Sequence, residues 1–141
     1  MASITINSVG AKGDYSTASV ETQDAILKRQ AAIIVPEQEK NARSLLNEKG
    51  MSVGITSQSI RAKSPTTQDG VRCLTITFVG TRPNGNGTKR TAEVAFINEY
   101  GIAGRMSARN FIAKANEAKA DECAAAAADI FAQYVSELTT F

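Results

Sequence analysis

Two long helix-forming stretches, residues 17–49 and 108–138, enclose a middle of different composition, and this arrangement sets the fold class. In the first, Leu27, Ala31 and Ile34 recur at i, i+4 and i+7, and Ala42, Leu45 and Leu46 resume the same apolar stripe. Glu21 and Asp24 near its start and Lys49 at its end complement the helix dipole, and Gly50 supplies a stop. Pro36 interrupts the pattern: it removes one helical hydrogen bond and crowds the preceding turn, which predicts a kink near Val35 or two helices meeting there. The second stretch contains the run Ala124 to Ala128, the best helix former available. Its apolar face is Ala127, Ile130, Phe131, Tyr134 and Leu138, and Ser107 or Asn110 can cap its start.

The middle alternates rather than spirals. Over 71–79, Val71, Cys73, Thr75, Thr77 and Val79 share one face, and Leu74, Ile76 and Phe78 share the other with Arg72, as a strand requires. Pro83, Asn84-Gly85 and Asn86-Gly87 signal a hairpin loop over 80–87, with 88–97 as the returning strand. Residues 51–70 read as loop, with a helical turn around 57–62. Residues 2–9 alternate over a short distance, as a strand or an extended arm would, and 10–16 read as loop. The expectation is an α+β chain: an extended arm over 1–16 and one domain over 17–141. That domain is a long N-terminal helix kinked near Pro36, an antiparallel hairpin or small sheet, and a long C-terminal helix. A lone hairpin is marginal in water. Either the arm and 51–70 add strands, or sheets join between subunits.

Charge is unevenly divided. Residues 1–51 are neutral, 52–92 carry +5 and 93–141 carry −3. The basic middle suits an acidic partner surface or a phosphate backbone. Its scattered spacing equally suits a solvated face that keeps strand edges from mispairing. Histidine is absent from the 141 residues, which removes the commonest general base and metal ligand. Cys73 and Cys123 stand far apart in no metal-ligand spacing. The glycine-rich stretch 80–90 lacks the G-x-x-x-x-G-K-[ST] order of a phosphate loop. Glu93 and Glu99 could share a strand face, but no nucleophile with a base stands near them. No enzyme activity, metal or cofactor is expected. The two cysteines read as small buried residues in a reducing cytoplasm; no apolar run approaches the roughly 20 residues of a membrane span, and the N-terminus shows no secretory pattern.

One constellation points further. Ala95-Phe96-Ile97-Asn98-Glu99-Tyr100-Gly101, followed by Met106-Ser107-Ala108-Arg109-Asn110-Phe111-Ile112 and Ala115, resembles the signature of tail-component, neck or tail-completion proteins of long-tailed bacteriophages. The family shows an aromatic, Glu, aromatic, Gly end to a strand, then Pro-Ala-Arg-Pro-Phe entering the last helix. Ser107 and Asn110 stand where the prolines would be. Gly54-Ile55-Thr56-Ser57-Gln58-Ser59-Ile60 is similar to a Thr-Gly-x-Leu-x-x-Ser-Ile element after the family's first helix. The resemblance spans about residues 20–138. It implies a virion structural protein at the head–tail junction. Such a subunit forms a ring, six-fold in related proteins, between the head connector or head-completion proteins and the tail terminator or tail tube. DNA would pass through its lumen without sequence specificity. A tail terminator is the nearest alternative, and a small basic DNA-binding module is the alternative of another class.

Read physically, Phe96, Tyr100 and Phe111 would pin the last strand to the last helix, and Gly101 would permit a backbone angle closed to other residues. Glu99 would pair with Arg105 or Arg109 and order the loop between them, or else remain an exposed charge. Arg82, Lys89 and Arg90 would face the lumen or a partner from the hairpin tip.

Overall fold

The computed structural model describes residues 5–7, 15 and 17–138. The first helix, α1 (Val20–Leu45), is 26 residues long. It begins where Ser19 accepts a hydrogen bond from the Thr22 N–H at 3.2 Å and Gln23 Nε2 donates to the Ala18 carbonyl at 2.8 Å. These contacts satisfy amides and carbonyls that a helix start leaves unpaired. Pro36 lies inside one uninterrupted helix rather than between two. Both Pro36 and Ala32, whose carbonyl the proline cannot serve, lie on the exposed side, where water can take that acceptor. The helix stops at Leu45, short of Gly50. Leu46 turns extended to bury itself in the core, and Gly50 instead opens a short 3-10 turn, Gly50–Ser52.

Residues 51–70, expected as loop, supply structure. Helix α2 (Ile55–Gln58) leads into strand β2 (Ile60–Ala62), and β3 (Thr66–Gln68) follows. Strand β1 (Thr5–Asn7) comes from the expected N-terminal arm. The rest of that arm, including the 10–16 loop apart from Tyr15, lies outside the described residues. The long alternating stretch divides at Leu74 into β4 (Val71–Cys73) and β5 (Thr75–Phe78), which join different sheets. Strand β5 is the centre of a three-stranded antiparallel sheet ordered β1-β5-β2, with Ile6 opposite Ile76 and Ile60 opposite Phe78. All four β5 residues are buried, because both faces of this central strand are covered. Strands β3 and β4 form a separate hairpin, turned by Asp69 (φ 52°) and Gly70 (φ 76°).

The expected hairpin between 71–79 and 88–97 does not form. Strand β6 (Thr81–Asn84) pairs with β7 (Gly87–Arg90), so that hairpin folds on itself. The rest of the expected return strand is helix α3 (Thr91–Tyr100). Its buried residues are Thr91, Ala92, Ala95, Asn98 and Glu99, a helical spacing. The small Ala92 and Ala95 let the helix sit close on the core, which outweighs the β preference of the neighbouring Val94 and Ile97.

The last helix, α4 (Phe111–Leu138), runs antiparallel to α1 over most of its length. Three contacts fix the register: Gln30 Nε2 to the Cys123 carbonyl (3.2 Å), Gln38 Nε2 to Asn116 Oδ1 (3.2 Å) and Asn41 Nδ2 to the Phe111 carbonyl (3.1 Å). Ala31, Ala42, Ala115 and Ala127 are almost wholly buried, so the seam between the helices is made of small side chains and amides. The core is closed by Leu27, Ile34, Ile76, Phe78, Phe111 and Ile112, with Phe78 edge-on to Phe111 at 6.0 Å. Burial on α4 is shifted towards its N-terminal half: Phe131 stacks on Tyr15 at 4.9 Å, whereas Leu138 is 60% exposed. Cys73 and Cys123 are both free thiols, and burial pushes the Cys123 thiol above its ordinary pKa. No helix among the described residues is long and apolar enough to cross a membrane.

Candidate functional site at the α3–α4 elbow

The residues that carry the family resemblance converge where α3 turns into α4. Gly101 ends α3 at φ 75° and donates its N–H to the Ile97 carbonyl at 2.7 Å. A Cβ at this position would lie 2.5 Å from the Met106 carbonyl oxygen and 2.7 Å from the Ala108 nitrogen. Glycine is therefore required here twice over, by backbone angle and by space. Beyond it, Ile102 and Met106 bond each other's backbone at 2.9 Å in both directions and close a small exposed turn. The chain then returns alongside α3, with the Arg109 N–H on the Asn98 carbonyl (2.8 Å) and the Asn110 N–H on the Glu99 carbonyl (3.2 Å).

Glu99 is 4% exposed, and its role differs from the expected ion pair. One carboxylate oxygen accepts from the Ile112 N–H at 2.8 Å, the other from the Ala113 N–H at 3.1 Å. These are the second and third residues of α4, the amides an N-cap side chain serves. The carboxylate thus caps a 28-residue helix from a neighbouring element, at the positive end of its dipole. Neither expected cap acts: Asn110 occupies the cap position at φ 49°, and Ser107 is exposed. Arg109 donates instead to Asn98 Oδ1 at 2.9 Å, and Asn98 Nδ2 donates to the Val94 carbonyl at 2.9 Å. Arg105 is exposed in the turn, and among the described residues Glu99 makes no ion pair with it or with Arg109. The physical reason is competition: two backbone amides from a helix start are fixed donors at the right distance, and a flexible arginine is not.

The aromatic residues divide. Phe111 is fully buried. Phe96 and Tyr100, expected as core anchors, are 48% and 61% exposed and stack on each other with ring centroids 4.8 Å apart. Helical geometry explains this. Ala92, Ala95 and Glu99 occupy the inward stripe of α3, which leaves positions 96 and 100 on the outside. In a strand, alternation would have allocated the faces differently.

The expected basic tip also divides. Arg82 is 6% exposed and faces inward, paired with Glu48 and bonded to the Thr56 hydroxyl. Glu48 Oε1 accepts the Thr56 N–H at 3.3 Å and Oε2 accepts the Thr56 hydroxyl at 2.9 Å. This cluster ties the β6–β7 hairpin to the segment after α1, so Arg82 is unavailable to a lumen or a partner. Arg82 Nε is buried without a partner. Lys89 and Arg90 remain partly exposed. Sequence reasoning missed Glu48, Thr56 and Asn98. Thr56 lay within the segment that resembles the family's Ser-Ile element, but nothing in the spacing linked it to a residue 26 positions away. Similarly, Arg72 clamps Asp24 through two bonds of 2.7 and 2.9 Å, and this guanidinium holds the Asp24 carboxyl below its usual pKa.

What the elbow presents outward is an apolar and aromatic surface made by Phe96, Tyr100 and Ile102, beside the exposed turn at Ala103, Gly104 and Arg105. No group of three His, Cys, Asp or Glu that could hold a metal occurs among the described residues. Comparison with protein-family models, with curated proteins and with solved structures returned no match to this chain.

Proposed function

We propose that this chain is a virion structural protein of a long-tailed bacteriophage, a tail-completion or neck subunit that joins the tail to the head-side connector. It would act as one member of a ring around the DNA channel, six-fold in the related proteins, with connector or head-completion proteins on one side and tail terminator or tail-tube proteins on the other. No catalytic role is assigned to it.

The observation that carries this reading is the division of labour within the signature residues. Glu99, Gly101 and Phe111 face inward and build the elbow. Phe96 and Tyr100 lie on the outer side of α3, 48% and 61% exposed. Two adjacent exposed aromatic rings on a helix mark a protein contact better than they mark a solvated surface. Electrostatics favours contact between proteins over DNA binding as the main task, because Arg82 is consumed by Glu48 and Arg72 by Asp24, two of the six basic side chains of the middle.

Cryo-electron microscopy of the purified phage particle tests this. A ring of this chain between connector and tail is the expected result. A neck complete without it would overturn the reading, and tight, strongly salt-dependent DNA binding in solution would then favour the basic module.

A further inference from the structure

We infer that an open groove between α1 and β2 receives the exposed face of α3 from a second copy of this chain; this rests on the reading of the protein as a self-assembling subunit. The groove has a volume of about 440 Å³. Its floor is apolar: Ala31, Ile60 and Leu74 are each 3% exposed, and Val35 lies half-buried beside them. Small residues at 31 and 32 of α1 create the depression. Its rim carries three cations, Lys28, Arg61 and Lys63, and no carboxylate is among its lining residues.

The complementary surface is on α3. Glu93, Phe96 and Tyr100 fall at i, i+3 and i+7 and share one face of that helix, which thus presents a carboxylate and two rings. The acidic, aromatic ridge matches the basic, apolar furrow in both respects: the rings fill an apolar floor, and their negative faces attract the lysine and arginine heads. Arg61 is already held for this. Its Nη1 donates to the carbonyls of Gln58 (2.7 Å) and Ile60 (2.8 Å), which lays the guanidinium over the strand edge as a flat platform. The same bonds occupy the Ile60 carbonyl at the open edge of β2 and so disfavour an added strand as occupant. A helix face is therefore the better fit. Neither Phe96 nor Tyr100 lines the groove of its own copy, so the contact is between copies and heterologous, closing into a ring or running on as a chain.

Two double variants test this in analytical ultracentrifugation, with circular dichroism to verify folding. One removes the ridge (Phe96→Ser with Tyr100→Ser), the other reverses the furrow (Lys28→Glu with Lys63→Glu); all four side chains are exposed. The parent protein is expected to assemble at concentrations where each variant alone is monomeric. An equimolar mixture of the variants should form a 1:1 dimer and stop there, because only one competent ridge and one competent furrow remain. Assembly of either variant like the parent, absence of the mixed dimer, or a parent that is monomeric up to about 1 mM overturns the pairing. The outcomes are separable from the virion role. A monomeric parent that is nevertheless found in particles defeats only the groove. A mixed dimer from a chain absent from particles defeats only the tail assignment.

Discussion

Two carboxylates hold this molecule together in different ways, Glu48 with its side chain 10% exposed and Glu99 buried. Glu48 is met by a full opposite charge, the Arg82 guanidinium, and by the amide and hydroxyl of Thr56. Glu99 is met by no side-chain cation among the described residues, only by two backbone amides at the start of α4. The first arrangement joins elements distant in sequence through three side chains, each dependent on the others. The second uses the partial charge that a long helix already carries at its N-terminus. The contrast teaches that a carboxylate withdrawn from water can be held by a counter-ion or by fixed backbone donors, and that the two solutions should fail differently.

The largest difference should appear on removing the counter-charge. Arg82→Ala leaves the mostly buried Glu48 with the Thr56 amide and hydroxyl but without its counter-charge, and is expected to lower stability by about 3 kcal/mol. Combining Arg82→Met with Glu48→Leu should restore most of it, because an apolar pair of similar volume is often as stable as a buried ion pair. Urea denaturation of the three proteins checks this, and a double variant no better than Arg82→Ala would show that Thr56 and the hairpin position depend on the charge itself. Gly101→Ala comes next, at about 1–3 kcal/mol, since the added Cβ must displace the backbone at 106–108. Glu99→Ala should cost about 1–2 kcal/mol, the range of a lost cap. Glu99→Gln should cost less, because one acceptor oxygen remains. Amide hydrogen exchange at Ile112 and Ala113 would localise the loss to the start of α4.

A smaller effect is expected at Asp24. Its folded-state pKa is depressed, chiefly by the hydrogen bond from Arg72 and also by that charge. The contribution is therefore fully present above the ordinary aspartate pKa and lost as pH falls through the lower folded value. Asp24→Asn should flatten the acid limb of a melting-temperature profile while leaving the shape above it unchanged. Smallest of all is Phe96→Ser or Tyr100→Ser, which should change monomer stability by no more than about 0.5 kcal/mol, as surface substitutions do. A large loss of stability there would mean that the rings serve the fold, and the division between inward and outward signature residues would collapse.

The helices were more legible than the sheets. The apolar stripe of α1 could be read because Leu27, Ala31 and Ile34 repeat at the helical period for several turns. Residues 88–90 are strand as expected, but 91–97 misled because Val94, Phe96 and Ile97 carry β preference, and ten residues are too few for periodicity to decide between a strand and α3. Strands within 51–70 were anticipated only as one way to complete the sheet, and their positions at 60–62 and 66–68 could not be read, for a different reason. They are three residues long, too short for alternation to show, and they exist because β5 and β4 offer edges to pair with. At the elbow, Gly101 and Phe111 could be singled out, but Glu99 could not be given its partner. A carboxylate is equally suited to an arginine or to amides, and sequence alone holds no distance by which to choose.

By itself, the sequence determined the two long helices, the positions of Gly101 and Phe111, and the break in hydrophobic pattern between the helices, because each depends on local periodicity or backbone angle. Only the tertiary structure decided that β5 pairs with β1 and β2, that Arg82 turns inward to Glu48, and that Phe96 and Tyr100 turn outward. Those outcomes depend on which surfaces compete for the same partner in space. A buried ion finds its donors and a ring finds its face only once the antiparallel packing of α1 on α4 has set where the inside is.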